Sequence, residues 1–210
     1  NPWDQRLCVV PDGDLFKILR EGKASVETDQ IEKFTEKGIL LKSGKHLDAD
    51  IVVSATGLQV QIMGGVQATL DGKPINSSEH MLYNGIMLSD VPNMAMIIGY
   101  VNASWTLKVD IAAEYICRLL NYMDKNSYDE VIPSGDKTVM EEDTVMGKLS
   151  SGYINRAAHE LPKQGKRAPW QVTNNYLEDR KSLKNAKFED GILHFHKRSE
   201  ANERKPKLVS

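Results

Sequence analysis

A short apolar run and a long amphipathic segment stand together near the middle of the sequence. Residues 94–98 are all apolar and Gly99 follows them, whereas residues 105–123 place apolar side chains at steps of three and four. An uninterrupted apolar run is typical of a strand buried on both faces of a parallel sheet, and the periodic segment predicts a helix with one apolar stripe. This stripe comprises Trp105, Val109, Ala112, Ala113, Ile116, Leu119, Leu120 and Met123. An α/β fold is therefore expected, with Asn102 or Ser104 capping the helix.

A second apolar run lies at residues 51–54, after Asp50 and before Ala55, Thr56 and Gly57. It predicts another buried strand, and its small final residues would let a second backbone or a cofactor approach closely. A tight turn explains the same residues equally well. The other predicted strands span residues 24–28, 31–34, 39–41, 46–49, 83–87 and 191–196, with a hairpin-like turn at 70–74. The other predicted helices span residues 15–21, 146–160 and 176–186.

Composition narrows the class of protein. A chain of 210 residues with 40% hydrophobic residues suits one globular domain or two small ones. Its net charge of −2 gives no electrostatic case for binding nucleic acid or an anionic membrane, and no apolar run is long enough to span a bilayer. Cys8 and Cys117 are interpreted as reduced thiols of a cytoplasmic protein, and no Cys or His pair has the spacing of metal ligands.

Three short segments of the sequence resemble sequence motifs of class B flavoprotein monooxygenases. They are residues 3–16, the linker Asp50-x4-Ala55-Thr56-Gly57, and residues 87–108 with their core Asn102-Ala103-Ser104-Trp105. The linker alone is weak evidence for membership of this family, but three matching segments in the family's order are stronger evidence. The resemblance is closest to the Baeyer–Villiger branch that includes ethionamide monooxygenase. It runs well over residues 1–125 and loosely over the remainder.

This resemblance implies a Rossmann-like fold with two dinucleotide-binding domains, one for FAD and one for NADPH. Residues 1–49 would end the NADPH domain, and residues 50–57 would be the interdomain linker. Residues 58–125 would form the C-terminal portion of the FAD domain, and residues 126–210 an extension. The chain has no G-x-G-x-x-G motif, which the family carries upstream. We therefore expect a C-terminal piece with an incomplete sheet, a β-meander and a long helix, whose partner is the missing N-terminal half of the same polypeptide.

The resemblance also implies a reaction. Members of the family use FAD, NADPH and O2 to insert one oxygen atom into a ketone, or onto sulfur or nitrogen of a small organic substrate, via a flavin peroxide. Arg6 matches the family's active-site arginine, and a fixed cation would stabilise the anionic species of that reaction. Without the resemblance, Arg6 would be interpreted as an exposed loop residue. The isolated fragment is expected to be inactive.

The cofactor-binding residues follow from the same resemblance. Backbone N–H groups of Val101 and Asn102, at the start of the predicted helix, would face the negatively charged edge of reduced flavin. Gly99, Ser104 and Trp105 would complete this turn, although Trp105 suits core packing equally well. The linker residues Asp50, Thr56 and Gly57 would act as a hinge between the two domains.

Two other classes of protein remain open. Other flavoproteins with two dinucleotide-binding folds share the Ala-Thr-Gly ending, but disulfide reductases among them usually need a redox Cys pair, which Cys8 and Cys117 do not supply. A non-catalytic α/β module that associates through an exposed sheet edge is the alternative to an enzyme.

Overall fold

The computed structural model describes residues 10–147, 149 and 151–197. Arg6 and Cys8 lie outside these described residues. The described chain forms two compact units, one ending at Leu58 and the other beginning at Gln59. Within the described ranges, no helix combines the length and the apolar character that a membrane span requires.

The first unit is a short helix followed by a three-stranded antiparallel meander. A 3-10 turn at Pro11–Gly13 leads into helix α1 (Asp14–Arg20), and strands β1 (Ile31–Thr35), β2 (Gly38–Leu41) and β3 (His46–Asp48) pair in that order. Gly38 has φ of +145°, and a Cβ there would lie 2.0 Å from the Leu47 carbonyl oxygen, so the close pairing of β2 with β3 requires glycine. The predicted helix, hairpin and third strand are confirmed.

Two predicted strands of the first unit are wrong. Residues 24–28 belong to no helix or strand. Residues 51–54 are likewise irregular, and Ile51 and Val53 are 82% and 81% exposed. A strand is stable only when a neighbouring strand bonds its backbone and other residues cover its side chains. No strand of the described residues pairs with either segment.

The second unit contains the long helix and four two-stranded antiparallel sheets. The long helix α2 spans Trp105–Asn126, and two further helices follow, α3 (Gly152–Ala157) and α4 (Tyr176–Asn185). The sheets pair β4 (Thr69–Leu70) with β5 (Lys73–Pro74), β6 (Leu82–Tyr83) with β7 (Met87–Leu88), β8 (Glu130–Pro133) with β11 (Leu193–His196), and β9 (Met140–Thr144) with β10 (Lys163–Gly165). Short 3-10 turns lie at Ile62–Gly65, Ser77–Glu79 and Lys137–Val139.

Several predictions for this unit are confirmed and others are corrected. The helices predicted at 105–123 and 176–186, the hairpin at 70–74 and the strand near the end are present. The strand predicted at 83–87 is instead a hairpin, because Asn84 and Gly85 both have positive φ and reverse the chain. The helix predicted at 146–160 shrinks to α3.

Residues 94–98 do not form the buried strand that the sequence predicts. Only Ala95 makes a bridge, to Met87, and Met94, Met96 and Ile98 are half-buried. The described sheets are all antiparallel pairs or a meander, so the observed fold is mixed α/β with small antiparallel sheets and a long helix. The two Rossmann-like domains stay a prediction.

The buried face of helix α2 overlaps the predicted stripe only in part, at Ala112, Leu119 and Met123. Its buried residues are Lys108, Ile111, Ala112, Tyr115, Leu119 and Met123, and the core around them includes Leu183 and Leu193 from the C-terminal segment. Trp105 and Leu120, both in the predicted stripe, are 46% and 53% exposed. Arg118, predicted on the polar side, donates to the carbonyls of Leu183 and Ala186 at 2.7 and 2.8 Å. The C-terminal segment therefore selects which face of α2 is buried.

Candidate functional site

Residues 99–104, called the 99–104 turn below, connect the irregular apolar run to the start of α2. A Cβ placed on Gly99 would lie 2.2 Å from Cγ of Trp105. The indole therefore rests directly on the Gly99 backbone, and any side chain at this position would displace it. Gly99 thus serves the packing of Trp105, which keeps the turn close to the helix.

The start of α2 has no side-chain cap. Ser104 occupies the N-cap position with φ −62° and ψ 135°, but its side chain makes no capping hydrogen bond. Its Oγ lies 2.8 Å from Thr106 Oγ1 instead, so the predicted cap by Ser104 is wrong. Helix N-termini carry a partial positive charge on their free N–H groups. This end of α2, with the exposed Asn102 beside it, suits an anionic or electron-rich partner.

A network of polar side chains lies behind the turn. Val101 donates its N–H to Asn174 Oδ1 at 3.3 Å, so this amide has a partner within the protein. Lys108 forms an ion pair with Asp179, Nζ to Oδ2 at 2.8 Å, and Tyr100 donates its hydroxyl to the same oxygen at 2.8 Å. Burial and the hydrogen bond to Asp179 raise the pKa of Tyr100.

An apolar cavity of about 270 Å³ adjoins the turn. Its walls include Val60, Met96, Ile98, Val101, Trp105, Met146, Tyr153 and Leu161. An apolar pocket of this kind buries the hydrocarbon part of a ligand, whereas nearby polar groups orient it. The uncapped helix start, the indole and the cavity therefore converge at one place in the second unit.

The predicted site residues fall into three groups. Gly99, Val101, Asn102, Ser104 and Trp105 are brought together in the second unit. The linker residues belong to the first unit, in a segment without regular structure where Asp50, Thr56 and Gly57 are all exposed. Gly57 has φ of +101°, with nothing within 4 Å of a Cβ placed on it. Arg6 lies outside the described residues.

Sequence reasoning missed the residues behind the turn. Lys108 could have been found, since it shares a helical face with Ile111, Ala112, Tyr115 and Leu119, where a charged side chain is unusual. No signal in the sequence pointed to Asn174 or Asp179, because they are about 70 residues away from the residues that they contact.

Comparisons with known proteins show which proteins this chain is similar to. The chain is homologous to the C-terminal part of FAD-containing monooxygenases, and the resemblance predicted from its sequence is confirmed. It is 76% identical over 212 aligned residues to "Probable FAD-binding monooxygenase AlmA" of Acinetobacter baylyi, an alignment that covers 100% of the chain and 43% of that protein.

More distant relatives give the same class. The chain is 51% identical over 198 residues to FAD-containing monooxygenase EthA of Mycobacterium tuberculosis, covering 94% of the chain and 40% of that protein. EthA of Mycolicibacterium smegmatis is 50% identical over 197 residues. The chain thus spans about two-fifths of the length of the curated relatives it matches. No family model matches it.

Proposed function

We propose that this chain is the C-terminal portion of an FAD- and NADPH-dependent monooxygenase. The reaction would insert one oxygen atom from O2 into a ketone, as a Baeyer–Villiger oxidation, or add it to sulfur or nitrogen of a small organic substrate. One observation carries the proposal: along its whole length the chain is 76% identical to a relative named as an FAD-binding monooxygenase.

The residues around the 99–104 turn fit the ring system of FAD. Reduced flavin holds negative charge on its pyrimidine edge, and the uncapped start of α2 offers N–H donors and a partial positive charge to it. Because Val101 already donates to Asn174, we assign the flavin contact to the Asn102 amide and the first turn of α2. Trp105, 46% exposed, would line the ring edge. Bound FAD, once reduced, would supply the activation of O2.

Arg6 and the linker complete the proposal. Arg6 is assigned as the permanent cation beside the reacting atoms, because guanidinium stays charged and can donate two parallel hydrogen bonds to an anion. Asp50, Thr56 and Gly57 are assigned as the hinge between the NADPH and FAD domains. The positive φ of Gly57 and its open surroundings suit a position that absorbs backbone rotation.

The remainder of the polypeptide would cover the apolar side of α2 that the second unit leaves open. Trp105, Val109 and Leu120 are exposed large apolar residues of one helix, and Ile116 beside them is half-buried. Exposed apolar patches of this kind mark interaction surfaces. We propose that the N-terminal part of the FAD domain packs there and supplies the pyrophosphate-binding loop.

The test uses the full-length enzyme with NADPH, ¹⁸O2 and a panel of ketones and thioethers. We expect the purified protein to hold FAD and to form a product that carries one ¹⁸O atom. An FAD-containing enzyme that oxidises NADPH with a disulfide or quinone acceptor, and never labels an organic product, would instead support the other flavoprotein class. A protein that binds no FAD would support the interaction module.

A further inference from the structure

We propose that Asn174 and Asp179, in residues 173–179 at the start of α4, are positioning residues that hold the 99–104 turn and the first turns of α2. This inference rests on the proposed function, because the turn matters only if it contacts the flavin. It gives a role to part of the C-terminal extension, residues 126–210, to which the family resemblance assigns none.

Asp179 accepts three hydrogen bonds, from the 99–104 turn, from helix α2 and from Thr173 just before α4. Its Oδ2 accepts from Lys108 Nζ and from the Tyr100 hydroxyl, both at 2.8 Å. Its Oδ1 accepts from Thr173 Oγ1 at 2.7 Å. Tyr100 belongs to the turn and Lys108 to the first turns of α2, so one carboxylate ties both to α4.

The ion pair is sheltered from water. Lys108 is 4% exposed and is the only charged side chain among the buried residues of the described chain. Its ammonium also lies 5.6 Å from the centroid of the Tyr100 ring, a cation–π distance. A Cβ on Gly85 would lie 3.3 Å from Lys108 Nζ, so glycine there leaves room for the ammonium. Such a pair holds its partners in one geometry, because each charge left alone would be buried without compensation.

Asn174 is held in place by its own backbone, whereas the neighbouring Asn175 serves helix α4. It adopts a left-handed conformation with φ of +51°, which asparagine tolerates better than most residues. The next residue, Asn175, caps α4 by accepting from the N–H groups of Leu177 and Glu178. The two asparagines thus have separate partners: Asn174 accepts from Val101, and within the described chain Asn175 accepts only from the first turn of α4.

The consequence for the site is orientation. Because a peptide group is planar, the hydrogen bond from Val101 N–H to Asn174 orients the peptide between Tyr100 and Val101. The Asn102 amide follows after only the two rotatable backbone bonds of Val101, so the same contact restricts where that amide can lie. Groups that stabilise a reacting centre act only when they are held close to the productive geometry. Loss of the Asn174 acceptor should therefore impair oxygen transfer more than it impairs folding.

The experiment compares three variants of the full-length holoenzyme. Asn174→Gly removes the acceptor and accepts the positive φ, whereas Asn174→Asp keeps an acceptor oxygen. The matched control Asn175→Ala removes the cap of α4 and leaves Asn174 unchanged. We measure the absorption spectrum of bound FAD, the product formed per NADPH consumed, and the melting temperature.

For Asn174→Gly, we expect an altered flavin spectrum and about two- to tenfold less product per NADPH, the range that one hydrogen bond supports. Asn174→Asp should restore the ratio. Asn175→Ala should lower the melting temperature and leave spectrum and ratio unchanged. Tyr100→Phe, which removes one donor to Asp179, should reduce the ratio in the same direction and serves if Asn174→Gly does not fold.

The positioning role is overturned if Asn174→Gly and Tyr100→Phe both match the parent in spectrum and ratio, or if Asn175→Ala loses as much product as Asn174→Gly. In those outcomes the parent enzyme still binds FAD and oxygenates its substrate, so the proposed function stands. A parent enzyme that holds no FAD, or makes no oxygenated product, overturns both.

Discussion

The Lys108–Asp179 pair leads to an asymmetric prediction for stability. The two side chains are 6% and 15% exposed. When one of them is removed, water can therefore hydrate the remaining charge only poorly. Asp179→Ala leaves the Lys108 ammonium buried with no carboxylate and also removes the acceptor of Tyr100 and Thr173. Removing one partner of a buried pair costs about 3–5 kcal/mol in the free energy of unfolding.

Removing the lysine instead of the aspartate should lower the free energy of unfolding by a smaller amount. In Lys108→Met the Asp179 carboxylate keeps the hydroxyl donors of Tyr100 and Thr173, and the methionine fills most of the lysine's volume. We therefore expect a loss of about 1–2 kcal/mol. The double variant should be more stable than the sum of the two single losses predicts, by about 1–3 kcal/mol, because it leaves no unpaired buried charge.

Urea denaturation at pH 7, monitored by circular dichroism, measures these losses in the free energy of unfolding. A shift of the unfolding midpoint with an unchanged dependence on urea concentration gives the change in stability. The matched control is Lys45→Met, which breaks the exposed Lys45–Glu27 pair of the first unit, with side chains 53% and 32% exposed. It should cost less than about 1 kcal/mol. The reasoning is refuted if Asp179→Ala costs no more than this control, or if the Lys108 and Asp179 losses add without coupling.

Three further predictions concern pH, the turn and the proposed cation. Burial and hydrogen bonds to Asp190 and Asp179 raise the pKa values of Tyr83 and Tyr100. The unfolded chain therefore releases these protons first, near pH 10. The free energy of unfolding should be constant with respect to these two groups below that pH. Above it, the free energy should fall by up to about 1.4 kcal/mol per pH unit and group in urea titrations, and a flat profile to pH 11 would contradict this. Gly99→Ala should displace the Trp105 indole, lower the free energy of unfolding by about 1–3 kcal/mol and shift the tryptophan fluorescence spectrum. Adding Trp105→Leu should restore part of that stability, because the smaller side chain leaves room for the new methyl group. An unshifted fluorescence spectrum in Gly99→Ala would count against the contact. Arg6→Ala in the full-length enzyme should keep FAD and lower product formation about 10²–10³-fold, while NADPH is still oxidised and O2 is reduced to hydrogen peroxide. Arg6→Lys should recover part of the rate. Product formation at the parent rate in Arg6→Ala would show that Arg6 is a loop residue without this role.

The sequence by itself determined the elements whose signals are local. The hairpin of β1 and β2, helix α4 and the long helix α2 all follow from turn residues, caps or spacing within a short window. The resemblance to flavoprotein monooxygenases likewise rests on short phrases, and it is confirmed by the relatives. Such signals can be read from sequence because neighbouring residues carry both the pattern and its cause.

Only the tertiary structure decided which apolar surface is buried and which polar groups meet. Residues 51–54 have the composition of a buried strand, yet Ile51 and Val53 are exposed, because an apolar window cannot say whether a partner strand lies beside it. In α2, apolar residues occur on more than one face of the helix. Packing against the C-terminal segment buries the face that contains Lys108. The pairing of Lys108 with Asp179 joins residues 71 positions apart. Contacts at that separation depend on how the whole unit closes on itself, and no local propensity encodes them.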